Sequence, residues 1–91
     1  MYTLVWSACF TRSAKKFINN HPELRDKFAA ILRDLEKDPL QPNLKYHQLR
    51  GNFKGIQAVS ITYSYRITLT IVVSDREIIL LDVGSHDEVY W

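Results

Sequence analysis

The stretch from Val59 to Val73, VSITYSYRITLTIVV, decides the fold because its side chains alternate in character with a period of two. The odd positions carry Val, Ile, Tyr or Leu, and the even positions up to Thr70 carry Ser, Thr or Arg. Successive side chains of a strand point to opposite faces, so one face is predicted to be apolar and the other polar. The stretch has 15 residues, which is longer than the roughly 3–10 residues of an ordinary strand. It is therefore predicted to form a hairpin.

The connection of this hairpin is predicted near Thr62-Tyr63-Ser64. A loop of this length keeps the parity of the two strands, so that Ile61 pairs with Tyr65 on the same face. The apolar odd-numbered face is expected to pack against helices. The even-numbered face is expected to present Arg66 to solvent or to a ligand.

Length and composition are typical of one globular domain, which is expected to cover residues 1–91. The chain is 46% hydrophobic and 24% charged, and its net charge of +2 permits an anionic partner without requiring one. Cys9 is the single cysteine, so no intrachain disulfide can form and a cytoplasmic location fits. We expect no secretory leader, membrane helix, zinc cluster or cofactor, because the sequence contains none of their patterns.

Two segments upstream of the hairpin show helical periodicity. A short strand is predicted from Tyr2 to Trp6, with Ser7 as the cap of the first helix. The second helix is predicted to begin at Pro22, which suits the first helical turn, and to end at Lys37, before Asp38-Pro39. The apolar stripes that define the two helices are Phe10, Ala14, Phe17 and Ile18 in the first, and Leu24, Phe28, Ile31, Leu32 and Leu35 in the second.

The remaining strands flank the hairpin. Residues His47–Arg50 are predicted to form a short strand, followed by a turn at Gly51-Asn52. A second turn at Ser74-Asp75 leads into a final strand over Arg76–Val83 that ends at Gly84. The order is therefore β-α-α-β-β-β-β. Because the helices come early and the strands late, the fold class is predicted to be α+β, with a helical hairpin on one face of a mostly antiparallel twisted sheet.

Several short motifs follow one another along nearly the whole chain. They are Phe10-x-Arg12-x-x-x-Lys16, His47-x-Leu49-x-Gly51-x-x-Lys54-Gly55, Tyr65-Arg66-Ile67, and Val83-Gly84-Ser85-His86 with Tyr90 behind it. In this order and spacing the chain resembles the RelE/ParE superfamily of toxins from type II toxin–antitoxin systems. It is most similar to the YafQ-type branch, which has histidine in the H-x-L-x-G and G-[ST]-H segments.

The resemblance implies a function. Toxins of this branch are ribosome-dependent, metal-independent messenger-RNA endonucleases, each neutralised by a cognate antitoxin that wraps around it. The expected partners are therefore an antitoxin protein, the ribosome and messenger RNA, with no membrane and no cofactor. The motif positions imply a catalytic site of His47, Arg66, His86 and Tyr90.

The sequence also departs from the pattern of that branch. Ser60 stands where the branch places a histidine, Ser64 where it places an aspartate, and Gln57 where it commonly has arginine. Two of the expected acid–base groups are therefore absent. Among the matching residues, His47 and His86 can exchange protons near neutral pH, and Arg66 can hold a phosphate. We expect His86 to act as the acid and His47 as the base.

Each candidate residue also has a structural interpretation. His47 can be an exposed strand residue, Arg66 can pair with Asp82 or Asp87, and His86 can simply end the last strand. The tail residues Tyr90 and Trp91 can pack on the sheet edge, and His21, before Pro22, is expected to mark the entry to a helix. Three cations near His47 can be ordinary surface charge, but their clustering favours contact with RNA phosphates. They are Lys45, Arg50 and Lys54.

Two other functions remain open. A ParE-like toxin on the same fold would inhibit DNA gyrase without catalysis. A degenerate toxin would retain only antitoxin binding. The histidine pair and Tyr90 favour the endonuclease, whereas the serines at positions 60 and 64 favour the gyrase inhibitor or a weakened enzyme.

Overall fold

The computed structural model describes residues 1–49, 51 and 55–85, which form two helices and five strands. The strands are β1 (Thr3–Trp6), β2 (His47–Gln48), β3 (Gln57–Ser60), β4 (Tyr65–Val72) and β5 (Glu77–Ser85). The helices are α1 (Ala8–Asn20) and α2 (Arg25–Lys37). The predicted order of elements is confirmed. Within the described residues, neither helix is both long and apolar enough to cross a membrane.

The strands form one sheet in the order β1-β5-β4-β3-β2. Neighbouring strands are antiparallel except for β1, which runs parallel to β5 with Thr3 beside Glu77 and Trp6 beside Leu80. The sheet is thus mostly antiparallel, as predicted. The parallel pair is possible because α1 and α2 lie between β1 and the rest of the sheet in the chain, which gives the long crossover that parallel strands need.

The hairpin of β3 and β4 has the predicted register. Val59 lies opposite Ile67 and Ser60 opposite Arg66. The Ile61 amide donates to the Tyr65 carbonyl over 2.9 Å, which leaves a connection of Thr62, Tyr63 and Ser64. The odd-numbered residues therefore share one face through the turn.

Both helices pack on the odd-numbered face of the sheet. The core cluster joins the two apolar stripes of the helices to the inner residues of β3, β4 and β5. Its sheet members are Val59, Ile61, Ile67, Leu69, Ile78, Leu80 and Val83. Tyr65 and Ile71 are partly buried against this cluster. The other two odd positions do not join it: Tyr63 is 94% exposed at the hairpin tip, and Val73 is 75% exposed in the 3-10 turn over Val73–Asp75. The apolar parity is thus interrupted where the chain turns.

The helix ends follow local rules. The Ser7 side chain accepts a hydrogen bond from the Phe10 amide, as a helix cap does. The α1 helix ends at Asn20. Pro22 opens a 3-10 turn over Pro22–Leu24, so the regular second helix begins three residues later than predicted, at Arg25. Proline supplies the required φ but no amide proton, which suits this tighter first turn.

The strands at both ends of the motif region also differ from their predicted limits. The strand predicted over residues 47–50 is observed only at His47–Gln48. The last strand starts at Glu77 and continues through Gly84 to Ser85. A register shift separates the pair Thr68–Asp82 from the pair Leu69–Leu80, which marks a bulge in β5. A bulge places two residues opposite one, so alternation changes phase there and a simple parity rule does not carry through β5.

Candidate functional site

The sheet register collects several predicted site residues on the face opposite the helices. His47 lies beside Ala58 in β3, and Ser60 lies two residues further along the same strand. Ser60 in turn lies beside Arg66, and Arg66 beside Gly84. Paired residues of adjacent strands share a face of the sheet. His47, Ser60 and Arg66, none of which is buried, therefore share one face of the sheet with the buried Ala58 and Gly84; it is called here the open face.

His47 is held by the chain just before it. Its Nδ1 atom lies 3.0 Å from the carbonyl oxygen of Lys45. A carbonyl oxygen can only accept, so Nδ1 carries the proton of this hydrogen bond. In the neutral imidazole the lone pair is then on Nε2. The side chain is exposed, so Nε2 is available to a ligand on the open face.

The carbonyl of Lys45 is placed by a left-handed residue. Lys45 has φ 52° and ψ 44° and ends the 3-10 turn over Pro42–Leu44. Its amide donates to the Pro42 carbonyl over 3.2 Å, and Leu44 beside it is fully buried. A non-glycine residue in this region costs of the order of 1 kcal/mol or more. The buried leucine and the turn hydrogen bond offset that cost and fix the direction of the Lys45 carbonyl.

Arg66 is oriented by the hairpin tip. Its Nη1 donates to the Tyr63 carbonyl over 3.3 Å. The ion pair with Asp82 that the sequence left open does not form: the Asp82 carboxylate accepts instead from the Val83 amide over 2.8 Å. Asp87 lies outside the described residues. Guanidinium carries five N–H donors, so one contact to a carbonyl leaves donors for a second oxygen acceptor.

Four predicted site residues lie outside the described residues. They are Arg50, Lys54, His86 and Tyr90. The described chain ends at Ser85, one residue after Gly84, which lies beside Arg66. The structure therefore brings together His47, Arg66 and the backbone of Lys45, and it leaves the expected roles of His86 and Tyr90 as predictions.

His21 has the structural role expected from the sequence. Its ring lies 4.6 Å from the ring of Tyr65 and 5.1 Å from that of Phe17, measured between centroids. Its Nδ1 is 3.7 Å from a carboxylate oxygen of Glu23. It also provides the C-cap residue of α1. His21 thus packs at the junction of the two helices and the sheet.

Part of the site was not predicted from the sequence. A groove is lined by Lys27, Ile31, Asn43, Lys45, Ser60, Ile61, Thr62, Tyr63 and Arg66. Lys27 and Tyr63 belong to none of the motifs, and nothing in the sequence distinguishes Lys27 from other exposed helical lysines. The only available signal was Tyr63 itself, an aromatic residue inside a predicted turn.

Metal ligation is not indicated in the part of the chain that is described. No group of three or more His, Cys, Asp or Glu side chains is close enough there to hold an ion. The positions at which the resemblance implied further acid–base groups carry hydroxyls: Ser60 lies on the open face and Ser64 is exposed in the hairpin turn. Of the predicted catalytic residues in the described part of the chain, His47 is the one with an imidazole side chain.

Comparisons with known proteins agree on fold and family. A family profile described as the bacterial toxin YafQ of type II toxin–antitoxin systems matches residues 2–90. No curated protein matches the sequence. Among solved structures, YafQ from E. coli strain BL21(DE3) has a TM-score of 0.83 at 16% identity, with 100% of both chains covered.

Two other solved structures extend this likeness. A metal-bound toxin from Helicobacter pylori has a TM-score of 0.81 at 24% identity, covering 98% of this chain and 99% of that one. The E. coli DinJ–YafQ complex has a TM-score of 0.73 at 16% identity, with 100% of both chains covered. At these identities the structures establish the two-helix, five-stranded fold, and the profile match over residues 2–90 establishes the family.

Proposed function

The chain belongs to the YafQ family of bacterial toxins of type II toxin–antitoxin systems, and on that premise we propose that it is a ribosome-dependent messenger-RNA endonuclease. The observation that carries the proposal is the hydrogen bond between His47 Nδ1 and the Lys45 carbonyl, 3.0 Å long. It leaves Nε2 of an exposed histidine as a proton acceptor on the same sheet face as Arg66. A base and a phosphate-binding cation are two of the three groups that this reaction needs.

Cleavage of RNA by its own ribose proceeds in one displacement at phosphorus. The 2′-oxygen forms a bond to the adjacent phosphorus, and the bond from that phosphorus to the 5′-oxygen breaks. A base removes the 2′ proton, an acid protonates the departing 5′-oxygen, and a cation stabilises the extra negative charge on the phosphorane. The products are a 2′,3′-cyclic phosphate and a free 5′-hydroxyl.

His47 supplies the base. Its Nε2 accepts the 2′ proton while Nδ1–H remains bonded to the Lys45 carbonyl. That carbonyl also stabilises the imidazolium that results, because its oxygen dipole faces the developing positive charge. A positioned proton-transfer group typically contributes about 10²–10⁴-fold to the rate.

Arg66 supplies the cation. Strand and residue spacings place its Cα about 12 Å from that of His47, two strands across and two residues along. Both side chains extend from the same face, so a phosphodiester bound between them can meet the two groups at once. The planar guanidinium matches two phosphate oxygens, which favours the pentacoordinate state over the ground state.

His86 is proposed as the acid and Tyr90 as a group that stacks on or hydrogen-bonds a base. The support is chemical and positional. Only His47 and His86 among the motif residues exchange protons near neutral pH, and the motif reaches His86 two residues after Gly84, the partner of Arg66. Arg50 and Lys54 are proposed, with Lys45, to contact RNA phosphates.

The expected protein partner is a cognate antitoxin. In the E. coli relative, YafQ forms a complex with DinJ. We propose that an acidic or amphipathic segment of the antitoxin of this chain lies over the sheet edge, the helices or the basic site. Strong expression of the toxin alone should stop growth, and coexpression with the antitoxin should restore it.

The test is cleavage of a messenger on programmed ribosomes by wild type and single-alanine variants. His86→Ala and His47→Ala are expected to lower the rate by about 10²–10⁴-fold, the larger loss falling at His86. Arg66→Ala should also lower it, with weaker dependence of RNA binding on salt. All three should keep the wild-type melting temperature. Undiminished cleavage by the double His47→Ala, His86→Ala variant would overturn the site.

A second candidate is a non-catalytic toxin that inhibits DNA gyrase. The observation that favours it is the pair of hydroxyl side chains at Ser60 and Ser64, where acid–base groups were expected. The same purified protein is therefore assayed for inhibition of DNA supercoiling. Inhibition of gyrase with no cleavage on ribosomes would replace the endonuclease by this function.

A further inference from the structure

A groove runs from Arg66 on the open face round the end of the sheet, at the β3–β4 hairpin, to helix α2. Its walls are the 3-10 turn before β2, the tip of the β3–β4 hairpin and the first half of α2. It encloses about 480 Å³ of open space, within the roughly 300–1,000 Å³ of typical ligand sites. We name it the edge groove. It is continuous with the proposed catalytic surface because Ser60 and Arg66 belong to both.

The edge groove is positively charged. Lys27, Lys45 and Arg66 line it, and no carboxylate is found among the described residues that do so. The Asp34 carboxylate, three residues beyond Ile31 in α2, accepts instead from the Asn43 amide group over 3.1 Å. Three cations on a concave surface, with hydroxyl groups from Ser60 and Thr62 between them, favour a polyanion that also accepts hydrogen bonds.

The two walls of the groove are held in place by the backbone. On one side, Gln41 Nε2 donates to the Asp34 carbonyl over 2.9 Å and ties the turn before Lys45 to α2. On the other, the Ser64 amide donates to the Thr62 hydroxyl over 3.2 Å, and the Arg66 guanidinium bonds the Tyr63 carbonyl. The turn that carries Lys45 and the guanidinium of Arg66 therefore start from defined positions, so less entropy is lost there when a ligand binds.

Tyr63 projects from the tip of the hairpin beside these cations. Its 94% exposure leaves almost the whole ring available for a contact. A flat aromatic ring next to a cationic groove is the arrangement that proteins use for single-stranded nucleic acid, in which bases stack while the backbone follows the charge.

We propose that the edge groove binds single-stranded RNA, with Lys27 and Lys45 on successive phosphates and Tyr63 stacked on a base. The choice of RNA among polyanions rests on the proposed endonuclease function. An acidic protein segment would also be attracted by the cations, but unlike RNA it does not present a planar base at every charged repeat. The groove thereby extends the RNA path from the cleavage site onto α2.

The experiment measures affinity for a short single-stranded RNA whose sugars are 2′-O-methylated, so that binding is independent of cleavage. Lys27→Gln should weaken binding and reduce the slope of log K against log salt by about 0.7 for the lost phosphate contact. Lys45→Asn should do the same, since asparagine tolerates the left-handed backbone there. Lys15→Gln, which removes an exposed helical lysine outside the groove, is the matched control and should leave both quantities unchanged.

Stacking is tested separately at Tyr63. Tyr63→Ala should weaken binding by about five-fold or more with an unchanged salt slope, because one stacked base is worth about 1–3 kcal/mol. Tyr63→Phe keeps the ring and should bind like wild type. Equal weakening by both variants would contradict stacking.

A second arm uses ribosomes without messenger. If Lys27→Gln and Lys45→Asn weaken binding to these ribosomes and leave affinity for the oligonucleotide unchanged, the groove binds ribosomal RNA. If they weaken binding to the oligonucleotide, the groove binds the messenger.

Wild-type affinity and salt slope for all groove variants in both arms would overturn the proposal. So would variants that weaken only the binding of an acidic antitoxin segment. Because these experiments measure binding and not cleavage, their result can be interpreted even if the protein is not a nuclease. Loss of cleavage in His47→Ala with no effect of the groove variants would refute the groove alone.

Discussion

The two faces of strand β4 have different roles, although their residues alternate along one backbone. On the helix side, Ile67 and Leu69 are completely buried in the core cluster. On the other side, Arg66 is partly exposed and bonds only a backbone carbonyl among the described residues. The helix side supplies stability through removal of apolar surface from water, and the open face keeps polar groups free for a ligand. Substitutions on the two faces should therefore affect different measurements.

The largest expected effect is loss of folding from a charge on the helix side. Ile67→Asp or Leu69→Asp places an unpaired carboxylate in the core, at a cost of several kcal/mol against a total stability of about 5–15 kcal/mol. Both variants should lack a cooperative thermal transition by circular dichroism. The neighbouring Arg66→Ala should melt like wild type. Wild-type melting of Ile67→Asp would show that the facing of the strand is wrong.

A smaller effect is expected from restoring a proton-transfer group on the open face. Ser60→His introduces the histidine that the family resemblance implies, beside Arg66. Cleavage on programmed ribosomes should rise about tenfold or more, since a positioned proton-transfer group is worth about 10²–10⁴-fold. The melting temperature should hardly change, whereas Val59→His, one residue away and fully buried, should unfold the protein. Equal melting of the two variants would contradict the division between faces.

Gln57 breaks the rule that the helix side is apolar. It is 7% exposed, lies beside Leu69, and its Oε1 is buried without a hydrogen-bond partner among the described residues. Its Nε2 makes only a long contact of 3.4 Å to Gln48. Gln57→Met keeps the volume and removes the unpaired oxygen, so stability in urea should rise by about 1 kcal/mol. A loss of stability would show that the hydrogen bonds of the Gln57 amide stabilise the fold.

The smallest effect concerns pH and lies at the edge of the helix side. Burial raises the pKa of Tyr46 above its ordinary value of 10.0, because desolvation disfavours the phenolate. Above about pH 10 the unfolded chain loses this proton more readily than the folded one, so the stability contribution present below that pH is lost as pH rises. Tyr46→Phe should reduce the fall in melting temperature between pH 9 and pH 11. An identical fall in both proteins would remove Tyr46 from the explanation.

The fold was predictable where neighbouring residues carry the signal. The alternation of Val59–Val73 predicted the hairpin, its register and its helix-facing side, and the apolar stripes with Ser7 and Asp38-Pro39 predicted both helices. Exact strand limits were less predictable. The bulge between Thr68 and Leu69 shifts the phase of β5, and a 3-10 turn replaces the first turn of the second helix.

The candidate site was predictable only in part. Motif order pointed to His47 and Arg66, which the register does place on one face. The roles of His86 and Tyr90 rest on the motifs alone. The tautomer of His47 depends on the left-handed conformation of Lys45, for which a lysine gives no local signal.

The sequence by itself determined the period of each segment, because helical and strand patterns depend on residues a few positions apart along the chain. Only the tertiary structure decided which distant segments meet. Thr3 pairs with Glu77, and Lys27 shares a groove with Arg66. These contacts form when the helices pack over the sheet. Burial of apolar area alone favours many arrangements, and strand register and side-chain packing select one of them. The groove is a consequence of that selection, since its exposed residues Lys27, Lys45 and Tyr63 contribute little to the core.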